Sequence, residues 1–148
     1  MPKNRLFARG TVFALPLIAS IAWAQEAAEG PKSQATNLSP REAQALIQKN
    51  RANAEFVVLD VRTPAEFAAG HLAGAINVDF KSPDFQAQAA KLDRGKTYLV
   101  YCRTGHRSGL ALPLLQRLGF SHLLHLEGGI SAWQREGLPV ERPPTPAP

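Results

Sequence analysis

The sequence predicts an α/β domain whose parallel sheet is covered by helices on both faces. Short, mostly apolar runs that indicate strands recur at residues 56–60, 75–78, 97–101 and 123–126, and the run at 56–60 is typical of a strand buried on both faces. Segments with helix-capping patterns or helical spacing separate these runs. Strands that alternate with helices are typical of βαβ crossovers, which place successive strands in parallel. A length of 148 residues with 45% hydrophobic and 20% charged residues fits one ordinary globular domain.

The first two helices are predicted from capping boxes. Ser39-Pro40-Arg41-Glu42 combines a capping Ser and Glu with Pro at the first helical position, and apolar residues follow at helical spacing. Thr63-Pro64-Ala65-Glu66 repeats this pattern and opens a short helix that we expect to end at Gly70. Further helices are predicted over residues 85–92, 107–118 and 130–136. Pro113 lies inside the second of these and predicts a kink or an early break.

Residues 1–24 have the order of a secretory signal peptide. Residues 1–10 are basic, residues 11–24 are uncharged and mostly apolar, and Ala22-Trp23-Ala24 places small residues where a signal peptidase reads. The alternative is a membrane span, which needs about 20 apolar residues, and this run is too short. We therefore expect cleavage before Gln25 and an exported protein, periplasmic in a Gram-negative bacterium, with no stable membrane anchor after cleavage.

The mature chain is expected to have three parts. Residues 25–36 are small and polar and predict a flexible leader, and residues 37–140 carry the folded domain. Residues 141–148 are Pro-rich and predict an extended tail. Three of the 17 basic residues lie within residues 1–10, and the others nearly balance the 12 acidic residues. This scattered, nearly neutral charge argues against nucleic-acid binding.

The single cysteine, Cys102, excludes a disulfide framework, a Cys-based zinc cluster and a CxxC redox pair. Cysteines of exported proteins are usually paired, so a solitary one is either buried and inert or retained for its chemistry. His122 and His125 alternate with apolar residues and have no carboxylates at ligand spacing, so no metal site is expected. His71 is expected to be a hydrogen-bonded structural residue.

Cys102 directly follows the predicted strand 97–101 and opens a short, cationic, glycine-containing segment, residues 102–108. Successive N–H groups in such a turn, together with the N-terminus of the next helix, can hold an anion. The same groups lower the pKa of a thiol and favour the nucleophilic thiolate. The alternative is a small buried hydrophobic residue. The neighbouring Arg103, His106 and Arg107 argue against burial among apolar side chains.

Three stretches resemble the rhodanese family of sulfurtransferases. Cys102-Arg103-Thr104-Gly105-His106-Arg107-Ser108 resembles the active-site loop of this family, residues 59–67 and 70–77 resemble its N-terminal signature, and residues 126–133 its C-terminal one. They follow the family's order and cover the folded unit, and the chain resembles the exported single-domain members. The resemblance implies a rhodanese-like three-layer α/β domain with a five-stranded, mostly parallel sheet flanked by helices.

The resemblance also implies a mechanism without a cofactor. The Cys102 thiolate would take the outer sulfur of a small anionic donor such as thiosulfate and hold it as a persulfide until a thiol or cyanide acceptor removes it. Backbone amides of residues 103–107 would stabilise the persulfide, and the side chains of Arg103 and Arg107 would attract the donor. Asp60 and Arg62 could orient the loop or bind substrate, although a structural role, with an Arg62–Glu66 ion pair, is the alternative.

Three other functions remain open. Phosphatases of related fold have five residues between their cysteine and arginine, whereas four separate Cys102 from Arg107, which disfavours phosphatase or arsenate reductase activity. A non-catalytic module could use the loop to bind an anion or a partner. A redox sensor could form a sulfenic acid on Cys102, but it would need an external resolving thiol.

Overall fold

The computed structural model describes residues 35–143 of the chain. Its five strands are β1 (Thr36–Leu38), β2 (Phe56–Asp60), β3 (Ile76–Asn77), β4 (Thr97–Tyr101) and β5 (His122–Leu126). They form one sheet in the order β1-β5-β4-β2-β3, and every neighbouring pair is parallel. The expected five-stranded parallel sheet is confirmed. The predicted signal peptide, nearly all of the leader and the end of the tail lie outside the described residues.

The described residues include five helices, four of which pack on the two faces of the sheet and give the three-layer arrangement. The five helices are α1 (Pro40–Lys49), α2 (Pro64–Ala69), α3 (Phe85–Ala89), α4 (His106–Arg117) and α5 (Gly129–Arg135). Buried residues of α3 and α4 share one apolar core with alternate residues of β2, β4 and β5. Buried residues of α1 and α5 share the other core with the intervening strand residues. Within the described part of the chain, no helix has the length and apolar character needed to cross a membrane.

The capping patterns act as the sequence predicts. The Ser39 hydroxyl accepts a hydrogen bond from the Glu42 N–H, and the Glu42 carboxylate accepts one from the Ser39 N–H. Thr63 and Glu66 form the same reciprocal pair at the start of α2. These pairs fix where α1 and α2 begin, each within a few residues of the end of the preceding strand.

The structure differs from the sequence-based expectations at the ends of the domain and in α4. Thr36, assigned to the leader, is the first residue of β1, a short polar strand that pairs with β5. Glu141, assigned to the tail, forms a backbone bridge with His71. The helix α4 does not end at Pro113 but continues to Arg117.

Candidate active site

Cys102 lies at the carboxyl end of β4, the central strand of the sheet. Ligands of open parallel sheets bind at this edge. The residue is only 1% exposed and belongs to the core on the α3/α4 face. The expectation that charged neighbours keep Cys102 out of apolar surroundings is therefore wrong. Arg103 and His106 are exposed and Arg107 turns toward α2, whereas the cysteine follows the inward-facing residues of β4.

Hydrogen-bond donors nevertheless surround the buried sulfur. The Gly105 N–H donates to Cys102 Sγ at 3.1 Å, and the Ser108 hydroxyl oxygen lies 3.4 Å from Sγ. Burial opposes ionisation of the thiol, but hydrogen bonds from the Ser108 hydroxyl and from the N–H groups of Ser108, Gly105 and Thr104 outweigh it. The net effect is a pKa of Cys102 below the ordinary thiol value. The loop over residues 102–108, hereafter the 102–108 loop, therefore favours the thiolate.

The N-terminus of α5 fixes the orientation of the first peptides of the 102–108 loop. The Ile130 N–H donates to the Cys102 carbonyl and the Ser131 N–H to the Arg103 carbonyl, both at 2.9 Å. In a trans peptide the N–H points opposite to the carbonyl, so the amides that follow face away from α5. Gly129 permits this approach: its φ is +59°, and a Cβ there would lie 2.4 Å from the Cys102 carbonyl oxygen.

Arg107 points to α2 and is fully engaged by Glu66. Its two terminal nitrogens donate to the two Glu66 carboxylate oxygens at 2.7 and 2.8 Å. These hydrogen bonds lower the pKa of Glu66 to about 2 and raise the pKa of Arg107. The suggested Arg62–Glu66 ion pair is therefore wrong. Of the two arginines expected to attract a donor, Arg107 is charge-compensated and Arg103 is exposed.

Asp60 and Arg62 form a buried network on the other face of the sheet. Arg62 Nη2 lies 2.6 Å from Asp60 Oδ2 and also donates to the Gly70 carbonyl, while the Tyr101 hydroxyl donates to the same carboxylate at 2.7 Å. Asp60 is 0% exposed and Arg62 is 5% exposed. Both side chains thus join β2, β4 and the segment after α2, which is the structural role considered above.

The remaining loop residues take different positions. Ser108 is buried against the sulfur, Gly105 adopts a left-handed conformation with φ of +99° at the start of α4, and Thr104 and His106 are exposed. Two open depressions flank the loop on the side of α5, one lined in part by Arg103, Ser131 and Gln134, the other by Thr104 and Arg135. Among residues 35–143, no three His, Cys, Asp or Glu side chains are grouped as metal ligands.

Sequence reasoning missed His125 as a neighbour of the loop. Its Nε2 lies 2.8 Å from the Ser108 hydroxyl oxygen, and its Nδ1 lies 3.0 Å from Asn37 Oδ1 on β1. The register pairs His125 with Val100, two residues before Cys102 on the same face of the sheet. Its alternation with Leu123 could have indicated that face, but the contact with Asn37 depends on a strand that the sequence did not reveal. His71 takes its expected structural role, with Nδ1 3.0 Å from the Phe67 carbonyl oxygen.

Comparison with known protein families identifies this arrangement. The family model for the rhodanese-like domain matches residues 39–136. The chain belongs to the rhodanese-like family. A solved structure of a rhodanese-related protein from Thermoplasma volcanium, 32% identical, matches it with a TM-score of 0.60 over 72% of this chain and 97% of that one.

Named relatives of this rhodanese-like chain include sulfurtransferases. It is 31% identical to a sulfurtransferase of Allochromatium vinosum over 69% of this chain and 94% of that protein. It is 42% identical to the thiosulfate sulfurtransferase GlpE of Stutzerimonas stutzeri over 55% of this chain and 73% of that protein. Other relatives are longer: the chain spans about half (51%) of the uncharacterized Synechocystis protein slr1261, at 36% identity over 64% of this chain.

Proposed function

We propose that this rhodanese-like domain is a sulfurtransferase that carries a sulfane sulfur on Cys102. The observation that carries the proposal is a thiol at a central strand end with N–H and O–H donors directed at its sulfur, as close as 3.1 Å. Such donors stabilise negative charge on that atom and on one further sulfur bound to it. The names of two relatives, a sulfurtransferase and a thiosulfate sulfurtransferase, support the same activity.

The proposed donor is a small sulfur-containing anion such as thiosulfate. The Cys102 thiolate attacks the outer sulfur of thiosulfate, an S–S bond forms, and the bond to the sulfonate sulfur breaks, which releases sulfite and leaves a Cys102 persulfide anion. A thiol or cyanide acceptor then attacks the outer sulfur, and Cys102 leaves as the thiolate. Charge and sulfur balance in both steps without a cofactor.

In this proposal the neighbours of Cys102 have distinct tasks. Donors on the 102–108 loop stabilise the reacting sulfur, and removal of one donor of this kind typically slows a reaction about 100-fold or more. Arg103 is exposed at the edge of the loop, where its charge attracts an anionic donor. Arg107 instead anchors the loop to α2 through Glu66. With Cys102 only 1% exposed, we expect a donor to offer its terminal sulfur rather than a bulky group.

The test is incubation of the reduced, folded protein with thiosulfate. Intact-protein mass spectrometry should show the addition of one sulfur atom, mapped to Cys102, and cyanide should remove it as thiocyanate. Cys102→Ser should abolish both results. A folded wild-type protein that gains no sulfur would reject thiosulfate as the donor. Anion binding that survives in the Cys102→Ser protein, without sulfur transfer in the wild type, would instead identify a binding module.

We also propose that the protein acts outside the cytoplasm, on the basis of the secretory pattern in residues 1–24. Cells that express the full chain should contain a processed form beginning at Gln25 in the exported fraction. Mass spectrometry of its N-terminal peptide measures the cleavage. A protein that keeps residues 1–24 and stays in the cytoplasm would contradict the proposal.

A further inference from the structure

A chain of hydrogen bonds runs from the edge strand β1 to the reacting sulfur. Asn37 on β1 contacts His125 on β5, His125 contacts Ser108 on α4, and the Ser108 hydroxyl lies beside Cys102 Sγ. The three separations are 3.0, 2.8 and 3.4 Å, each within hydrogen-bond range for its atoms. Four elements of the fold thus place one continuous polar path against the thiol.

Asn37 sets the protonation pattern of the imidazole. Its Oδ1 can only accept a hydrogen bond, so Nδ1 of His125 carries a proton and donates it. In the neutral ring, Nε2 is then the acceptor and faces the Ser108 hydroxyl. A histidine in this state is able to take up a proton at Nε2.

The Ser108 hydroxyl has one proton and three acceptors within reach. His125 Nε2 lies at 2.8 Å, the Gly105 carbonyl oxygen at 3.1 Å and Cys102 Sγ at 3.4 Å. When His125 is neutral, Nε2 competes with the sulfur for this proton. When His125 is protonated, Nε2–H donates to the Ser108 oxygen, and the hydroxyl proton is released to the thiolate. The protonation of His125 therefore changes how strongly Ser108 stabilises the sulfur anion.

We propose that Asn37, His125 and Ser108 form a relay that accepts the thiol proton of Cys102 and holds the resulting thiolate opposite an imidazolium. In this step the S–H bond of Cys102 breaks as Ser108 Oγ takes that proton, and the Ser108 proton passes to Nε2 of His125. The net result is a thiolate, an imidazolium and an unchanged serine. His125 is thus a positioning residue that acts through Ser108.

The environment of His125 is consistent with this role. Burial lowers the pKa of His125, so the ring is neutral before it accepts a proton. Glu127, in the turn directly after β5, acts in the opposite direction and favours the imidazolium. The groups that face the ring from its neighbours are Asn37 from β1, Gly105 from the loop and Ser108 from α4, with Cys102 beyond Ser108. Of these four groups, only Cys102 titrates. Glu127 is the other titratable group that acts on the ring.

The first test measures the imidazole titration of His125 by NMR in the wild type and in Cys102→Ser. The thiolate should raise the titration midpoint in the wild type by about one pH unit, a tenfold change in proton affinity. Ser108→Ala should remove this difference, because the relay is then broken. The exposed His122 on the same strand is the internal control for effects that do not pass through Ser108. Equal His125 midpoints in the wild type and Cys102→Ser would overturn the relay.

A second test reads the thiolate directly and does not depend on the first. On the acid side of the His125 midpoint, His125→Gln should react with neutral iodoacetamide about tenfold more slowly than the wild type, a change of one pH unit in thiol acidity. Gln keeps a hydrogen-bonding group toward Ser108 but cannot hold a proton. His122→Gln is the matched control and should react like the wild type. Unchanged alkylation in His125→Gln would also overturn the proposal.

This inference rests on the proposed function only in taking Cys102 as the reacting thiol. Both tests report protonation in the absence of any sulfur donor. A relay without sulfur transfer would remove the proposed activity and leave this inference intact. Sulfur transfer with no coupling between His125 and Cys102 would support the proposed activity and overturn the relay.

Discussion

Replacement of Gly129 by alanine tests how the N-terminus of α5 holds the 102–108 loop. The new Cβ would lie 2.4 Å from the Cys102 carbonyl oxygen and 2.6 Å from the Arg103 carbonyl carbon and oxygen, distances that real Cβ atoms essentially never show. All three are backbone atoms, so no side chain can turn away to relieve the contact. The loop and the helix must therefore separate, and their two hydrogen bonds must lengthen or break.

The expected cost has two parts. A non-glycine residue in the left-handed conformation costs about 1–2 kcal/mol. Loss of the two hydrogen bonds from Ile130 and Ser131 to the loop carbonyls costs about 2 kcal/mol more, at about 1 kcal/mol each. We therefore expect Gly129→Ala to lower the free energy of unfolding by about 3–4 kcal/mol. Displaced loop amides should also raise the pKa of the Cys102 thiol.

Gly137→Ala is the matched control, because Gly137 has a φ of +70° and nothing within 4 Å of an added Cβ. Gly137→Ala should lower the free energy of unfolding only by the cost of a non-glycine residue in the left-handed conformation, about 1–2 kcal/mol. It should leave the pKa of the Cys102 thiol unchanged. Urea unfolding measures the stabilities, and the pH dependence of iodoacetamide alkylation measures the thiol. Equal losses of unfolding free energy in the two variants, or an unchanged alkylation profile in Gly129→Ala, would refute the inference that the close contact at Gly129 positions the loop.

Three further predictions concern polar contacts. Glu66→Gln should lower the free energy of unfolding by about 1–2 kcal/mol at neutral pH, a modest value because solvent screens the partly exposed ion pair with Arg107. Because the folded-state pKa of Glu66 is lowered to about 2, wild-type stabilisation should disappear as the pH falls from about 4.5 toward 2. A pH-independent difference in urea unfolding would contradict the ion pair with Arg107. Tyr101→Phe removes two buried hydrogen bonds and should cost about 2 kcal/mol, more than Tyr98→Phe, whose hydroxyl is only part-buried. Arg103→Ala should lower kcat/KM for thiosulfate about fivefold at low salt, because one charge contributes about 1 kcal/mol to attracting the anion. The rate of iodoacetamide alkylation should not change. Equal losses in kcat/KM and in the alkylation rate would instead place Arg103 at the sulfur.

Much of the fold could be predicted because its signals are local. The runs at Phe56–Asp60 and Thr97–Tyr101 are apolar on both faces, as strands under two helical layers must be, and their boundaries agree with the structure. The capping boxes place α1 and α2 correctly. The strand β1 could not be predicted, because Thr36–Leu38 is short and partly polar and is held only by pairing with β5.

The candidate site could be predicted in position but not in its contacts. Cys102 follows a strand end, and that fact alone puts it at the edge where ligands bind. The partner of Arg107 depends on how α2 lies against α4, and its sequence neighbourhood gives no indication of Glu66. His125 reaches the site only because β5 lies beside β4, which is a property of strand order. Contacts between distant segments are therefore what the sequence left open.

The pairing of Arg107 with Glu66 bears on how the site discriminates among anions. An arginine already neutralised by a carboxylate gives little extra attraction to sulfate or phosphate, which are abundant in cells and media. Within the described part of the chain, Arg103 is the loop arginine without a side-chain partner, and its charge lies in solvent, where ions screen it. Competition by these common oxyanions should accordingly be weak, and selectivity should come from the fit of a terminal sulfur among the loop amides.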